Sequence, residues 1–185
     1  MTSAARHPFL FSSRFGRRAV VFWPLFAGIA ASDIATKRFA EHELSLHIPR
    51  ALAGDFIRLT LTYNTGAAMS LSLGAASRVV FGVVAFGMLV VIYRMYTRTT
   101  PENAPQAAAL ALIAAGALGN LIDRLRSTRG VVDFIDVGIG DWRFWTFNVA
   151  DVGVTAGAVL LALVLLRRPP APDAQRLKKR TTPSL

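Results

Sequence analysis

The sequence predicts an integral membrane protein, mainly α-helical, with four transmembrane helices and a small β-sheet outside the bilayer. Three observations carry that expectation. The chain of 185 residues is 53% hydrophobic with a mean hydropathy of +0.43, too apolar for an ordinary soluble domain. Four apolar runs meet or approach the roughly 20 residues that a helix needs to cross the hydrocarbon core. Many of the 21 Lys and Arg lie at the two ends and in one middle loop, while the apolar runs carry almost none.

Residues 1–18 form a basic segment with Arg6, Arg14, Arg17 and Arg18 and no acid. The first span covers about Ala19 to Lys37 and holds Asp33 near its end. Basic residues, an apolar run and Ala30-Ala31-Ser32 also resemble a cleavable secretory signal. Asp33 and Lys37 follow at once, however, and cleavage would break the four-span count, so a retained span is expected. In the loop of about residues 39–76, Phe56 to Tyr63 alternates partially and has strong β composition, and Asn64-Thr65-Gly66 supplies a turn. A short twisted sheet on the membrane surface is the expectation there. The second span runs about Arg78 to Tyr96, the third about Gln106 to Asp123, and the fourth about Phe147 to Leu166. Gly and Ala in the third and fourth suit close helix packing in lipid. Between them, Val131-Val132-Asp133-Phe134-Ile135 can add a strand. Residues 168–185, with Pro169, Pro170, Pro172 and Pro183, read as a disordered basic tail, which leaves 19–167 as the membrane domain.

The charges orient this arrangement. Arg94 and Arg98 stand against Glu102 between spans two and three, and the tail holds Arg167, Arg168, Arg176, Lys178, Lys179 and Arg180 against Asp173. The first outer loop balances Arg38, Arg50 and Arg58 with Glu41, Glu43 and Asp55. Both termini are therefore expected in the cytoplasm. The net charge of +10 does not imply nucleic acid, because no basic face is interleaved with exposed aromatics. Without cysteine there is no disulfide, Cys-ligated metal or thiol nucleophile.

Ionisable groups at span edges are costly, so each is a functional candidate. Here they collect at one level: Asp33 and Lys37, then Asn120, Asp123 and Arg124, then Asn148 and Asp151, with Asn64 and Asp133 able to join from the loops. Asp33 and Lys37, four apart, read as a structural ion pair ending the span, with Lys37 snorkelling to the headgroups; shaping the substrate is the functional alternative. Asn120, Asp123 and Arg124 share a helix face by spacing, and Asp123 reads as the neutralising partner of Arg124. Asp151 sits in a helix start that favours its anion. The histidines are His7, His42 and His47, none in this layer, so a His-based metal site and a serine–histidine pair are both disfavoured. No cofactor or metal is expected. What remains is a pair of aspartates sharing a proton, able to activate water toward a peptide bond. Spacing alone leaves the pair open among Asp33, Asp123, Asp133, Asp136 and Asp151; Asp136 is expected to face solvent.

Read in order, Asp33-Ile34-Ala35-Thr36-Lys37, Asn64-Thr65-Gly66-Ala67-Ala68-Met69-Ser70, Gly119-Asn120-Leu121-Ile122-Asp123-Arg124, Val131-Val132-Asp133-Phe134 and Phe147-Asn148-Val149-Ala150-Asp151 closely resemble the motifs of lipoprotein signal peptidase, signal peptidase II, of the bacterial cytoplasmic membrane. The resemblance covers about residues 19–167. It implies an aspartic peptidase with Asp133 and Asp151 as the dyad. Asp33, Lys37, Asn64, Gly66, Asn120, Arg124 and Asn148 then fall at the family's shared supporting positions. It implies four transmembrane helices, a small periplasmic β-cradle with a mobile periplasmic segment, and an active site near the outer face. It also implies diacylglyceryl-prolipoprotein substrates cut on the amino side of the lipidated cysteine, and inhibition by globomycin-like cyclic peptides. A monomer among membrane lipids is expected. Met69 and Ile34 replace residues common in the family, Phe and Gln, and activity should be retained. An ion-coupled transporter using the same polar layer is the rival, against which stand the absence of an inverted repeat and the layer's nearness to one surface. A bland assembly subunit is the third reading.

Overall fold

The computed structural model describes residues 16–66 and 76–167. The basic segment before Gly16, the tail from Arg168, and Ala67-Ala68-Met69-Ser70 of the second motif lie outside the described residues. The elements follow in the order α1 (Arg17–Glu43), β1 (Arg50–Ala53), β2 (Ile57–Asn64), α2 (Ser77–Arg98), α3 (Ala104–Arg126), β3 (Val131–Ile139), β4 (Trp142–Arg143) and α4 (Val149–Leu166). All four helices are long and apolar enough to cross a membrane.

The core of the bundle is α3. Of its most apolar stretch 67% is buried, against 6% for α2. Asn103 caps its start by accepting from the Gln106 amide at 3.1 Å, with Pro105 in the first turn, where a missing N–H costs nothing. The peripheral α2 turns Val79, Val83, Phe86 and Val91 outward. That face is costly in water and neutral against lipid tails, so its exposure follows from its solvent.

Small residues bring α3, α4 and α1 together. A Cβ on Gly116 would overlap the Ala150 carbonyl, and one on Gly157 would come within 2.8 Å of the Ala109 carbonyl oxygen. A Cβ on Gly119 would overlap the Asp33 carboxylate. Backbone contact of this kind is what the Gly and Ala content of spans three and four implied.

At one end of the bundle the strands form an antiparallel sheet in the order β1-β2-β3-β4. The helix α1 runs past the expected end at Lys37 to Glu43, because Arg38 to Glu43 contains no helix breaker and Ala40 is buried beneath the sheet with Leu44, Leu61, Val132 and Phe134. Register pairs Thr62 with Asp133 and Asn64 with Val131. Successive side chains alternate faces, so Thr62, Asn64 and Asp133 share one side. At the far end Arg18 donates to the last carbonyls of α2, among them Thr99, and lies over the Tyr96 ring.

If Gly116 is the closest approach of α3 to α4, Gly116→Val should lower the detergent melting temperature by an overpacking cost of about 1–3 kcal/mol. Gly87→Val, whose Cβ would meet nothing within 4 Å, serves as the control and should leave it unchanged.

Candidate active site

The polar layer is organised around a buried ammonium. Lys37 is 2% exposed, and its Nζ lies 2.8 Å from Asp33 Oδ2, 3.0 Å from Asp123 Oδ2 and 3.0 Å from Asn120 Oδ1. Two ion pairs and one hydrogen bond surround the three N–H groups, so the buried charge is paired. Lys37 therefore does not snorkel; it points between α1 and α3, where two carboxylates outweigh the pull of the headgroups. Asp33 accepts with Oδ1 from the Ala150 amide at 2.8 Å, one of the N–H groups that the start of α4 leaves free. One ion pair thus ties three helices.

Asp123 does not neutralise Arg124. Its Oδ1 accepts from Arg126 Nε at 2.9 Å, and its Oδ2 from the Val132 amide at 3.2 Å, beside Lys37. Adjacent helix residues point about 100° apart. Arg124 therefore faces α2 while Arg126, at i+3, shares the Asp123 face. Arg124 instead donates from Nη1 to the Asn120 carbonyl at 2.9 Å and lies 5.8 Å from the centre of the Phe81 ring, while its buried Nε has no hydrogen-bond partner among the described residues. Asp136 also departs from expectation. It is buried, accepting from Arg143 Nε at 2.6 Å and from the Thr60 hydroxyl at 3.0 Å. Its strand is covered from both sides, and an unpaired carboxylate there would be too costly.

Asn148 links the two remaining aspartates. As the N-cap of α4 its Oδ1 accepts from the Asp151 amide at 3.0 Å, and Asp151 Oδ2 accepts in return from the Asn148 amide at 3.2 Å. This is a reciprocal capping box. The Asn148 Nδ2 then faces the sheet, donating to Asp133 Oδ1 at 2.6 Å and to the Val132 carbonyl at 3.2 Å. Asn120 Nδ2 donates to Asp151 Oδ1 at 2.8 Å. Asn64, two residues beyond the Thr62–Asp133 pair, hydrogen-bonds Asp133 from the neighbouring strand. Its Oδ1 also accepts from the Gly66 amide at 2.9 Å, closing a turn in which Gly66 takes φ +109° and packs on Phe81 without room for a Cβ.

Asp133 is 3% exposed. Burial, and then the charge of Asp151, push its carboxyl up to about 7, against hydrogen bonds from Asn64 and Asn148 that pull it down. Both aspartates line an open groove of about 550 Å³ with Thr62, Asn64, Phe144, Trp145 and Phe147. A second groove of about 240 Å³ reaches Asp151 from α2, past Phe81, Met88, Asn120 and Arg124. A larger apolar groove, about 620 Å³ between α2 and α3, touches no aspartate and is set aside as a site of chemistry. Among the described residues, no group of three or more His, Cys, Asp or Glu is placed to hold a metal ion. A carboxyl that titrates near neutrality beside a second carboxylate can act as acid while its neighbour acts as base.

The layer thus brings together Asp33, Lys37, Asn64, Asn120, Asp123, Arg124, Asp133, Asn148 and Asp151, with Gly66 shaping its rim. Sequence reasoning missed the aromatic wall of Phe144, Trp145 and Phe147. Its signal was available in the Phe144-Trp145-Thr146-Phe147 run directly before span four. Arg126 and Glu41, 2.9 Å apart as an ion pair that extends the network, were also missed; the i, i+3 spacing of Asp123 and Arg126 pointed to the first. Asp33→Ala should cost about 3–5 kcal/mol of stability in detergent by stranding Lys37 and the Ala150 amide. Arg58→Ala, which breaks an exposed pair, should cost no more than about 1 kcal/mol.

Comparison with known proteins agrees with this architecture. The family model of signal peptidase (SPase) II matches residues 25–167. A lipoprotein signal peptidase of Coxiella burnetii (strain Dugway 5J108-111) is 39% identical over 153 residues, 80% of this chain and 92% of the relative. One of Pseudomonas putida is 36% identical over 168 residues, 88% of this chain and 95% of the relative. A solved bacterial membrane enzyme shares the fold with a TM-score of 0.70 at 28% identity, over 79% of this chain and 92% of that one. With four apolar helices, a capping sheet and a match that runs from the first span to the last, the chain belongs to the signal peptidase II family of aspartic-type peptidases.

Proposed function

We propose that Asp133 and Asp151 are the catalytic dyad of an intramembrane endopeptidase that removes the signal peptide from diacylglyceryl-modified prolipoproteins, cutting on the amino side of the lipidated cysteine. The observation that carries this reading is the double role of Asn148, which caps α4 through Asp151 and donates to Asp133 from the same side chain. Both carboxyls are thereby held at one groove. One aspartate takes a proton from water as the oxygen attacks the scissile carbonyl. The other gives its proton to the amide nitrogen as the C–N bond breaks, so no metal or covalent intermediate is required. Arg124, Asn64 and Asn120 offer donors that can orient the substrate backbone.

The substrate's lipid supports the same reading. Acyl chains held in the bilayer fix the depth of the cysteine, which removes part of the entropic cost of bringing the bond to the dyad. By the positive-inside rule, both termini are cytoplasmic and the sheet and dyad lie at the periplasmic boundary of the cytoplasmic membrane. A monomer among membrane lipids belongs to the same proposal. The dyad groove is the site that globomycin-like cyclic peptides would block. The family match favours the peptidase over the ion-coupled transporter.

Asp133→Asn and Asp151→Asn should each reduce cleavage of a diacylglyceryl prolipoprotein by at least about 10²-fold, the usual worth of a general acid or base, while the protein still inserts and folds. Full activity in either variant defeats the dyad. Because Asp133 titrates near 7, the alkaline limb of kcat/KM should fall with an apparent pKa close to neutrality; a profile flat well above that would contradict it. Stability should carry the matching sign. Folding retains on Asp133 a proton that the unfolded chain releases at 3.8. Wild type should therefore lose stability as pH rises from about 4 to about 7, and Asp133→Asn should flatten that slope in thermal melts.

A further inference from the structure

A lysine ammonium can donate hydrogen bonds but cannot accept one. Where it meets an asparagine side chain, it therefore decides which end of the amide faces it. Lys37 Nζ donates to Asn120 Oδ1 at 3.0 Å, which turns Asn120 Nδ2 the other way, onto Asp151 Oδ1 at 2.8 Å. We propose that Lys37 is a positioning residue for the reaction: by fixing the Asn120 amide it holds Asp151 as the ionised base and leaves the shared proton on Asp133. The inference rests on the dyad reading and adds to it an order of roles.

The two aspartates are held unequally. Asp151 has both oxygens occupied as acceptors, Oδ1 by Asn120 and Oδ2 by the Asn148 amide, and it stands in the first turn of α4, where the helix dipole favours an anion. A proton on it would compete with donors that favour the anion. Asp133 is more deeply buried and lies on β3, outside the first turn of α4. Asn148 cannot reverse this order, because its Oδ1 is committed to the Asp151 amide and only its Nδ2 reaches Asp133. The direction of the Asn120 amide is therefore the variable that remains, and Lys37, the nearer and charged of the two donors on Asn120 Oδ1, is the main group that sets it, with Asn148 Nδ2 at 3.3 Å the weaker one.

The groups that face Lys37 fit the role. Asp33 lies on its own helix, and Asp123 and Asn120 come from α3. From α4, Asn148 reaches Asn120 Oδ1 at 3.3 Å, and Asp151 lies beyond the same amide. Arg126 and Glu41 stand beyond Asp123. The two carboxylates balance the charge, and the third N–H needs only some oxygen. The third N–H bond extends its influence to the dyad.

Infrared difference spectra of the purified protein in detergent read the proton without catalysis. In mildly acidic buffer a protonated-carboxyl band should vanish in Asp133→Asn and persist in Asp151→Asn; the opposite pattern overturns the assignment. In Lys37→Met only the longer bond from Asn148 Nδ2 still holds the Asn120 oxygen, so Asn120 should turn its oxygen toward Asp151 in part of the population, and a second band should appear that is lost on adding Asp151→Asn. With a diacylglyceryl prolipopeptide as substrate, the acid limb of the kcat/KM profile should move up by about one pH unit, the worth of one charge-assisted hydrogen bond. KM should hardly change, and Lys37→Arg, still a pure donor, should return the limb toward its wild-type position. A lower melting temperature with activity reduced equally at every pH, and no new band, means a structural role and overturns the proposal. Should Lys37→Met fail to fold, Asn120→Ala keeps the Lys37, Asp33 and Asp123 ion triad and must show the same displaced limb; an unmoved limb there overturns it equally. A wild type that shows the Asp133 band but does not cleave the lipidated peptide defeats the peptidase reading by itself.

Discussion

A buried ammonium with three acceptors is the constraint on which the rest of the structure depends. Lys37 can be dehydrated only if each N–H finds an oxygen, and the three oxygens belong to Asp33, Asp123 and Asn120. Each of these then needs partners of its own. Asp33 takes the free Ala150 amide and requires the absence of a side chain at Gly119. Asp123 takes the Val132 amide and so anchors β3 to α3. Asn120 reaches Asp151. Satisfying one charge thus fixes how α1, α3, α4 and the sheet meet.

Asn148 shows how a local folding rule also holds the proposed dyad together. An N-cap needs an oxygen that accepts from the first turn, and asparagine brings an amide nitrogen along with it. A serine or aspartate could cap α4 equally well, but neither would direct an N–H donor onto Asp133 while capping. The same side chain therefore starts the helix and joins the two carboxyls, and the capping partner Asp151 is itself one of the pair.

Much of this was legible in the sequence, for physical reasons that differ by feature. The spans were legible because dehydrating charge is costly, so long uncharged runs have one economical environment. The polar layer was legible for the converse reason: Asp33, Lys37, Asn120, Asp123, Asn148 and Asp151 stand where polar groups are expensive. Which residue pairs with which was less legible. Asp123 was assigned to the neighbouring Arg124, whereas helix geometry turns it to Lys37 and Arg126. Lys37 was expected at the headgroups, because its acceptors on α3 are more than eighty residues away. Asp136 was expected in solvent, because its partners Thr60 and Arg143 come from two other strands. Long-range register carries these pairings, and a single sequence shows it only weakly.

The choice of pair illustrates the same limit from the other side. Five aspartates were candidates on spacing alone, and motif resemblance selected two. The geometry supplies a physical criterion that resemblance does not. Asp33 and Asp123 share a buried cation and hydrogen bonds from the backbone, so their oxygens are held by groups that do not move with substrate. Asp136 is tied to Arg143. Only Asp133 and Asp151 are held mainly by asparagine amides and open on a groove large enough for a peptide. Neutral donors support a carboxylate without supplying a compensating charge, whereas a lysine or arginine beside a carboxylate favours its anion. The proposed division between structural and reactive aspartates in this layer is therefore one of partner charge, and it follows from which face of α1, α3 and β3 each side chain occupies.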